Sequence, residues 1–205
     1  MGVPEEELTA NVQRSLLSLM GEVDVLRKDA DRLRGQIRDL ESLADHDVML
    51  PVLNRRAFLR EVSRALALAE RHNAPSALVF LDLNGFKAIN DTYGHATGDV
   101  ALHHVANLLT AHVRETDSVG RLGGDEFGIV LSLTGAEGAE VKAHELADLI
   151  ASTPFEHDGK VLNVGAAWGS YPLTTGRDAE QALAQADAAM YVQKMAQKKA
   201  ANDAR

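Results

Sequence analysis

Residues 121–131 read RLGGDEFGIVL, a short glycine and acid stretch that runs directly into an apolar segment. Gly123 and Gly124 favour a tight turn in which the backbone can approach a ligand closely. The apolar residues from Phe127 onward predict a buried strand. The adjacent carboxylates of Asp125 and Glu126 cost stability beside a core unless a cation or a turn uses them. The stretch therefore predicts a hairpin, which either carries solvated acids or holds a cation.

Helical and strand-like patterns alternate on both sides of this hairpin. Helices are predicted at about 54–72, 99–113, 139–151 and 178–199, and strands at about 77–83, 117–121, 126–133 and 160–171. This order predicts an α/β (α+β) fold with one central sheet flanked by helices. Asp82 is the last but one residue of an otherwise apolar strand, so its side chain should emerge at the end of the sheet, where ligands of such folds tend to bind. Carboxylates gathered there without cysteine suit a hard cation such as magnesium.

Apolar residues recur at alternating steps of four and three from Val12 to Ala44, which is a heptad pattern. The mixture of residues at the two apolar positions favours two parallel strands, and Glu22 with Arg27 matches the charge pairing of a parallel dimer. A single amphipathic helix lying on its own domain is the alternative, but a rod of roughly 50 Å is longer than one small domain can cover. We therefore predict a coiled-coil dimerisation helix at residues 1–46 and one further domain at 47–205. The apolar positions are Leu16, Val23, Ala30, Ile37, Ala44 (a) and Val12, Leu19, Leu26, Leu33, Leu40 (d).

The charge balance excludes several classes of partner. The 205 residues contain 21 Lys and Arg against 30 Asp and Glu, a net charge of -9, so a nucleic acid polymer is not expected as a partner. The chain has no cysteine, which excludes disulfides and thiolate metal sites. No apolar run reaches the length of a membrane span, and the start MGVPEEEL does not resemble a signal peptide. These features predict a soluble, cytoplasmic protein without a membrane partner.

Three ordered stretches resemble the motifs of the GGDEF family of diguanylate cyclases. They are FLDLNGFKAINDTYGHATGD (80–99), RETDSVGRLGGDEF (114–127) and ADAAMYVQK (186–194), and the resemblance covers nearly all of the chain from Asp47 to Lys199. It implies a palm-like central sheet flanked by helices. It also implies a reaction that joins two molecules of GTP into cyclic di-GMP and releases two pyrophosphates.

The resemblance also assigns roles to the acids. Asp82 and Asp125, with the carbonyl of Leu83, would bind two Mg²⁺ ions per half-site, with Mn²⁺ as an alternative. Glu126 would help to deprotonate the attacking 3′-hydroxyl, so that Asp82, Asp125 and Glu126 form the catalytic set. Divalent ions in such a site neutralise the triphosphate and stabilise charge on the α-phosphorus during in-line displacement.

Asn90 and Asp99 match the positions with which the family reads guanine. A carboxylate accepts from both N1–H and N2–H of guanine, whereas adenine would leave a buried acceptor unpaired. For Asp99 a helix N-cap is an alternative role that is compatible with the first. The remaining substrate contacts implied by the resemblance are Asn84, Gly85, Phe86, Lys87, Gly123, Gly124, Lys194 and Lys198.

The chain departs from the family pattern at two places. Met49–Val52 stand where the family has Leu-Thr-Gly-Leu, and Gln197–Lys199 stand where it has Gly-Arg-Asn. The second change replaces the bidentate arginine by a point charge at Lys198, which predicts weaker triphosphate binding. The alternative for Lys198 is a solvated basic helix end.

Arg114 and Asp117 resemble the family's product-inhibition site, where an arginine can stack on guanine or bind phosphate; a surface ion pair is the alternative.

Because each domain would hold one GTP, the coiled coil would bring two half-sites together as a homodimer. The leading interpretation is an active diguanylate cyclase under product feedback. The alternative is a catalytically degenerate domain that binds cyclic di-GMP as a receptor, and a cyclase that makes another dinucleotide is a third hypothesis.

Overall fold

The computed structural model describes residues 9–174 and 176–203, and for residues 35, 37–44 and 197–203 it describes the backbone alone. The chain divides into two compact units, Met1–Ala44 and Asp45–Arg205. In the first unit the structure describes helix α1 (Ala10–Asp45), which has 36 residues and whose last residue belongs to the second unit. No helix in the described ranges combines the length and the apolar character needed to span a bilayer.

The heptad stripe lies along α1, and six of its apolar side chains are exposed. Val12, Leu16, Leu19, Val23, Leu26 and Leu33 all lie on the surface of this helix. Ile37, Leu40 and Ala44, which continue the stripe, lie outside the described side chains. A stripe of this kind is what a second helix would cover, and the parallel coiled coil stays a prediction.

The second unit is a four-stranded antiparallel sheet with helices on both faces and a separate small hairpin. The strands of the sheet follow the order β2-β3-β1-β6, and β4 pairs with β5. This architecture confirms the predicted fold class. Its elements are α2 (Arg55–His72), β1 (Ser76–Asn84), α3 (Phe86–Tyr93), α4 (His95–His112), β2 (Ser118–Gly123), β3 (Glu126–Ser132), α5 (Ala136–Ser152), β4 (Phe155–His157), β5 (Lys160–Leu162), β6 (Gly165–Leu173) and α6 (Ala179–Asp203).

Strand β1 lies inside the sheet, and its side chains alternate between two apolar cores. Val79 and Leu81 pack with α4 and α5, whereas Leu78 and Phe80 pack with α2 and α6. This alternation follows from the two-residue period of a strand, and both faces are apolar because both are covered by helices. By the same period, Asp82 lies on the face that carries α2 and α6.

Two elements differ from the sequence prediction. Helix α3 was not predicted, and α4 begins at His95, so Asp99 lies within its second turn rather than at its N-cap. Gly94, with φ of 86°, separates the two helices and occupies the cap position. The N-cap role considered for Asp99 is therefore wrong.

The β4–β5 hairpin was also not predicted, and residues 160–171, predicted as one strand, are divided between β5 and β6. Its turn is Asp158-Gly159, both with positive φ, which is a two-residue hairpin signal that the sequence carries.

The segment before α2, which departs from the family pattern, is packed against the domain. Leu50 and Val52 are buried in the core shared by α4 and α5. The carboxylate of Asp47 accepts from the backbone N–H groups of Met49 and Leu50 at 3.0 and 3.1 Å. Leu53 then forms a parallel bridge to Gly120 at the edge of β2. Leu50 and Val52, which stand in place of the family pattern, thus supply the apolar side chains that are buried in this turn.

Candidate active site

The three predicted catalytic acids meet at one end of the sheet. Asp82 of β1 lies directly opposite Glu126 of β3 in the antiparallel register. Asp125 occupies the turn between β2 and β3, and its carbonyl accepts from the N–H of Leu83 at 3.2 Å. Since partners in register point to the same face of a sheet, Asp82 and Glu126 share the face that carries α6.

The turn is built from Gly124 and Asp125 alone, because Gly123 already pairs with Glu126. A Cβ on Gly123 would lie 2.6 Å from Oε2 of Glu126, so the glycine makes room for that carboxylate rather than for an outside ligand. Gly124 is exposed, and a Cβ there would meet nothing within 4 Å. The predicted close approach of a ligand at Gly123 and Gly124 stays a prediction.

The acids interact electrostatically. Burial, followed by the charge of Asp82, raises the pKa of the Asp125 carboxyl above its ordinary value of 3.8. Burial also raises the pKa of Glu126, and the charges of Asp82 and Asp187 add to it. Asp187, on α6, was not singled out from the sequence. The mutual repulsion at this end of the sheet favours the binding of a cation.

The donor set fits magnesium. Magnesium is held by one or two carboxylates together with water and substrate phosphates, and here Asp82, Asp125 and the Leu83 carbonyl are adjacent. In the part of the chain that the structure describes, no three His, Asp or Glu side chains form a complete metal cage. A site of this composition can therefore be completed only by water or by the phosphates of a ligand.

Lys194 of α6 reaches the same place. Its Nζ donates to Oδ1 of Asp82 across 112 positions of the sequence. Both side chains are largely buried, with 24% of Lys194 and 16% of Asp82 exposed. The phosphate contact that the resemblance implies for Lys194 stays a prediction, and its ammonium here lies on the carboxylate of Asp82. Lys198 lies outside the residues whose side chains are described.

Asn90 and Asp99 are brought close by the corner between α3 and α4. The side-chain oxygen of Asn90 lies 2.0 Å from the point that a Cβ on Gly98 would occupy. The amide of Asn90 therefore packs against the turn of α4 that precedes Asp99, which is exposed. Gly98 was not singled out from the sequence, although only glycine leaves space for this contact.

The predicted phosphate turn, Asn84 to Lys87, connects β1 to α3. Gly85 has φ of 77°, a left-handed conformation that glycine adopts at little cost. Phe86 and Lys87 are the first residues of α3, and they follow Asp82 closely in the chain. The backbone N–H groups of this first turn have no partner within the helix. A helix N-terminus of this kind is suited to phosphate.

Arg121 is a further residue of the site that sequence reasoning missed. Its Nε and Nη2 donate to the carbonyl of Gly124 at 3.2 and 2.8 Å. Its Nη1 forms an ion pair with Asp47 at 3.3 Å, in which both side chains are only 16% exposed. Arg121 thus holds the peptide that precedes Asp125 and ties it to the segment that follows α1 in the chain.

Arg114 and Asp117 lie apart from the acids, at the start of β2. Oδ2 of Asp117 accepts from the N–H of Arg114 at 3.0 Å, and Oδ1 accepts from the N–H of Ser132 at 2.9 Å. Asp117 therefore fixes the backbone of this corner. Both residues line a groove of about 560 Å³, together with His112, Lys142 and Glu145.

Comparison with known proteins identifies relatives along most of the chain. A family model described as "Diguanylate cyclase, GGDEF domain" matches residues 44–200. The probable diguanylate cyclase DgcE of Escherichia coli is 35% identical over 178 residues, which are 86% of this chain and 16% of that protein. Diguanylate cyclase TpbB of Pseudomonas aeruginosa is 34% identical over 186 residues, which are 87% of this chain and 42% of that protein. The chain thus spans less than half the length of these curated relatives.

Solved structures show the same fold. The coiled coil and GGDEF domain of DgcB from Caulobacter crescentus, in complex with c-di-GMP, superposes with a TM-score of 0.74 at 26% identity, covering 87% of this chain and 95% of that chain. Diguanylate cyclase SiaD of Pseudomonas aeruginosa, in complex with its activator SiaC, also gives 0.74, at 27% identity, covering 91% of this chain and 73% of that chain. The family model covers residues 44–200, the solved structures share the sheet, and the paired acids lie at its end. The chain therefore belongs to the GGDEF domain family.

Proposed function

We propose that this chain is a diguanylate cyclase. The 3′-oxygen of each GTP forms a bond to the α-phosphorus of the other, the bond from that phosphorus to pyrophosphate breaks, and each 3′-hydroxyl loses its proton. Two GTP molecules thus give one cyclic di-GMP and two pyrophosphates. The observation that carries this proposal is the meeting of Asp82, Asp125 and Glu126 at one end of the sheet, in a chain related to proteins named as diguanylate cyclases.

The proposed role of each acid follows from its position. Asp82, Asp125 and the Leu83 carbonyl would hold magnesium, which when bound neutralises the triphosphate and lowers the pKa of the 3′-hydroxyl. Glu126 is the proposed base for that hydroxyl. Its raised pKa, caused by burial and by neighbouring carboxylates, makes it a better proton acceptor than an exposed glutamate.

We assign the selection of the substrate to residues at the corner between α3 and α4. Asn90 and Asp99 would hydrogen-bond guanine, with the carboxylate of Asp99 accepting from N1–H and N2–H. The N–H groups at the start of α3, with Lys87 and Lys194, would contact the phosphates. Gly98 and Gly85 serve this arrangement indirectly, since one leaves space for Asn90 and the other turns the chain into α3.

The reaction requires two domains that face each other, so we propose a homodimer formed through α1. The exposed stripe of Val12, Leu16, Leu19, Val23, Leu26 and Leu33 supports a parallel coiled coil. The related DgcB structure is described as a coiled coil with a GGDEF domain. Because GTP is the substrate, we place the activity in the cytoplasm.

The groove at Arg114 and Asp117 is the proposed site of product inhibition. Asp117 is held by two backbone N–H groups. For the guanidinium of Arg114 the structure records no hydrogen-bond or ion-pair partner among the described residues, so it can stack on or bind a guanine or a phosphate. Arg114→Ala should leave the initial rate unchanged and relieve inhibition by added cyclic di-GMP.

The test is incubation with GTP and magnesium, followed by chromatography of the products. Wild type should form cyclic di-GMP and pyrophosphate, and Asp125→Asn should form neither. Asp148→Asn, which removes one carboxylate from the exposed face of α5, is the matched control. A wild type that binds cyclic di-GMP but makes none from GTP would favour the receptor alternative and overturn the cyclase.

A further inference from the structure

The ammonium of Lys194 lies where a cation is expected, on the carboxylate of Asp82. In the described part of the chain, Lys194 is the basic residue that contacts this acid. With both side chains largely buried, the pair is shielded from water, so its electrostatic attraction is stronger than that of a surface ion pair.

The position of Lys194 is fixed by the residues around it on α6. Met190, one turn earlier, is buried against the sheet. A Cβ on Gly169 of β6 would lie 2.1 Å from the backbone nitrogen of Met190, so helix and strand are in close contact there. Gln193 accepts a hydrogen bond from the N–H of Trp168 at 2.8 Å. These contacts hold α6 on β6, and β6 pairs Ala167 with Asp82.

A divalent cation on the carboxylate of Asp82 would lie close to the Lys194 ammonium, and the two positive charges repel each other. A metal ion therefore binds Asp82 more favourably once Lys194 has moved to another anion. The phosphates of a nucleotide supply that anion. Without a nucleotide the nearby anions are the neighbouring acids, and Lys194 already attracts Asp125 electrostatically, which is itself a proposed metal ligand.

We infer that Lys194 acts as an internal cation that opposes metal binding in the nucleotide-free site, so that metal and triphosphate bind together. This inference rests on the proposed function, because it assigns the order of binding at the same site. Lys194 has two successive partners, Asp82 before the nucleotide binds and phosphate afterwards. Its removal should therefore strengthen the binding of metal alone and weaken the binding of nucleotide.

The test uses Mn²⁺ alone, titrated against nucleotide-free protein, with free Mn²⁺ measured by electron paramagnetic resonance. Lys194→Met should bind Mn²⁺ about tenfold more tightly than wild type. Lys194→Arg keeps the charge and should remain within about twofold of wild type. Lys142→Met, which removes a positive charge paired with Glu145 on α5, is the matched control and should also stay near wild type.

A second measurement separates this role from a structural one. Unfolding in a chelator should show Lys194→Met less stable than wild type, and saturating Mn²⁺ should close the difference, because the ion replaces the lost charge. If the Lys194–Asp82 pair served only to hold α6 in place, Mn²⁺ would not restore the stability of the variant. Lys194→Gln, which keeps a hydrogen-bond donor for Asp82, takes the place of the methionine variant if the latter does not fold.

Unchanged or weaker Mn²⁺ binding by Lys194→Met would overturn the inference. Equal tightening by Lys142→Met would also overturn it, since the effect would then come from net charge. Product formation from GTP by wild type is measured in parallel. If wild type makes cyclic di-GMP while Lys194→Met leaves Mn²⁺ binding unchanged, only the inference fails. A wild type that makes no product overturns the proposed function, and the Mn²⁺ comparison still decides the inference.

Discussion

Replacing Leu26 and Leu33 of α1 by glutamate should separate the proposed dimer into monomers with little turnover. In the single chain Leu26 and Leu33 are 66% and 52% exposed, so more than half of each residue remains to be buried by a partner. Full burial of a leucine contributes about 1.5–3 kcal/mol. Four leucines in a dimer, each burying the half or more that is exposed in the single chain, therefore contribute about 5 kcal/mol. Loss of this contribution raises the dissociation constant by roughly three to four orders of magnitude.

The assay is the mass of the protein in solution, by light scattering, together with turnover per subunit over a range of protein concentrations. The double variant should be monomeric at micromolar concentration, and its turnover per subunit should rise with concentration because two domains must meet. Ser18→Glu with Gly21→Glu is the control, since it adds two carboxylates on the outer positions of the heptad that precedes Leu26. If the Leu26 and Leu33 variant kept full turnover at nanomolar concentration, the assignment of α1 as the dimerisation element would be wrong.

Three further outcomes are expected. Gly98→Ala should raise the KM for GTP about tenfold or more with little change in kcat, because the new methyl group displaces the Asn90 amide; Gly135→Ala, where a Cβ meets nothing, is the control. Asp125→Asn should raise the melting temperature of the metal-free protein near about pH 7 but not near about pH 3. The reason is that the pKa of Asp125 is raised, so its ionised form destabilises the fold only as the pH rises through that pKa. An equal gain at both pH values would contradict the repulsion between the acids. Arg121→Lys should lower kcat by about tenfold or more, since lysine cannot reach both the Gly124 carbonyl and Asp47, and cyclic di-GMP binding at the Arg114 groove should not change.

The sequence predicts the sheet and its acids because their signals are local. Asp82 is conspicuous at the end of an apolar strand, and Gly123 to Phe127 identify both a turn and a strand. The two short elements were missed for different reasons. Helix α3 has only eight residues between Gly85 and Gly94, too few for a clear period, whereas the Asp158-Gly159 turn was a usable signal for the β4–β5 hairpin.

The contacts that complete the site are not local. Lys194 meets Asp82 across 112 residues, and Arg121 meets Asp47 across 74 residues. Such pairs follow from the strand order and from the packing of α6 on β6, which no pattern in one sequence determines. Gly98 illustrates the same point, since its importance depends on where the Asn90 side chain lies. An arginine within a strand, such as Arg121, is also most simply read as a surface residue.

The segment that ends at Leu53 has a consequence for shortened forms of the domain. Strand β2 is an outer strand of the sheet, and the backbone of Leu53 accepts from the Arg121 N–H at 2.7 Å and donates to the Val119 carbonyl at 3.0 Å. A chain that began after Leu53 would leave these groups open to pairing with another molecule, a common origin of aggregation. Such a truncation should give a protein that self-associates through this strand, even though every residue of the proposed catalytic set is retained.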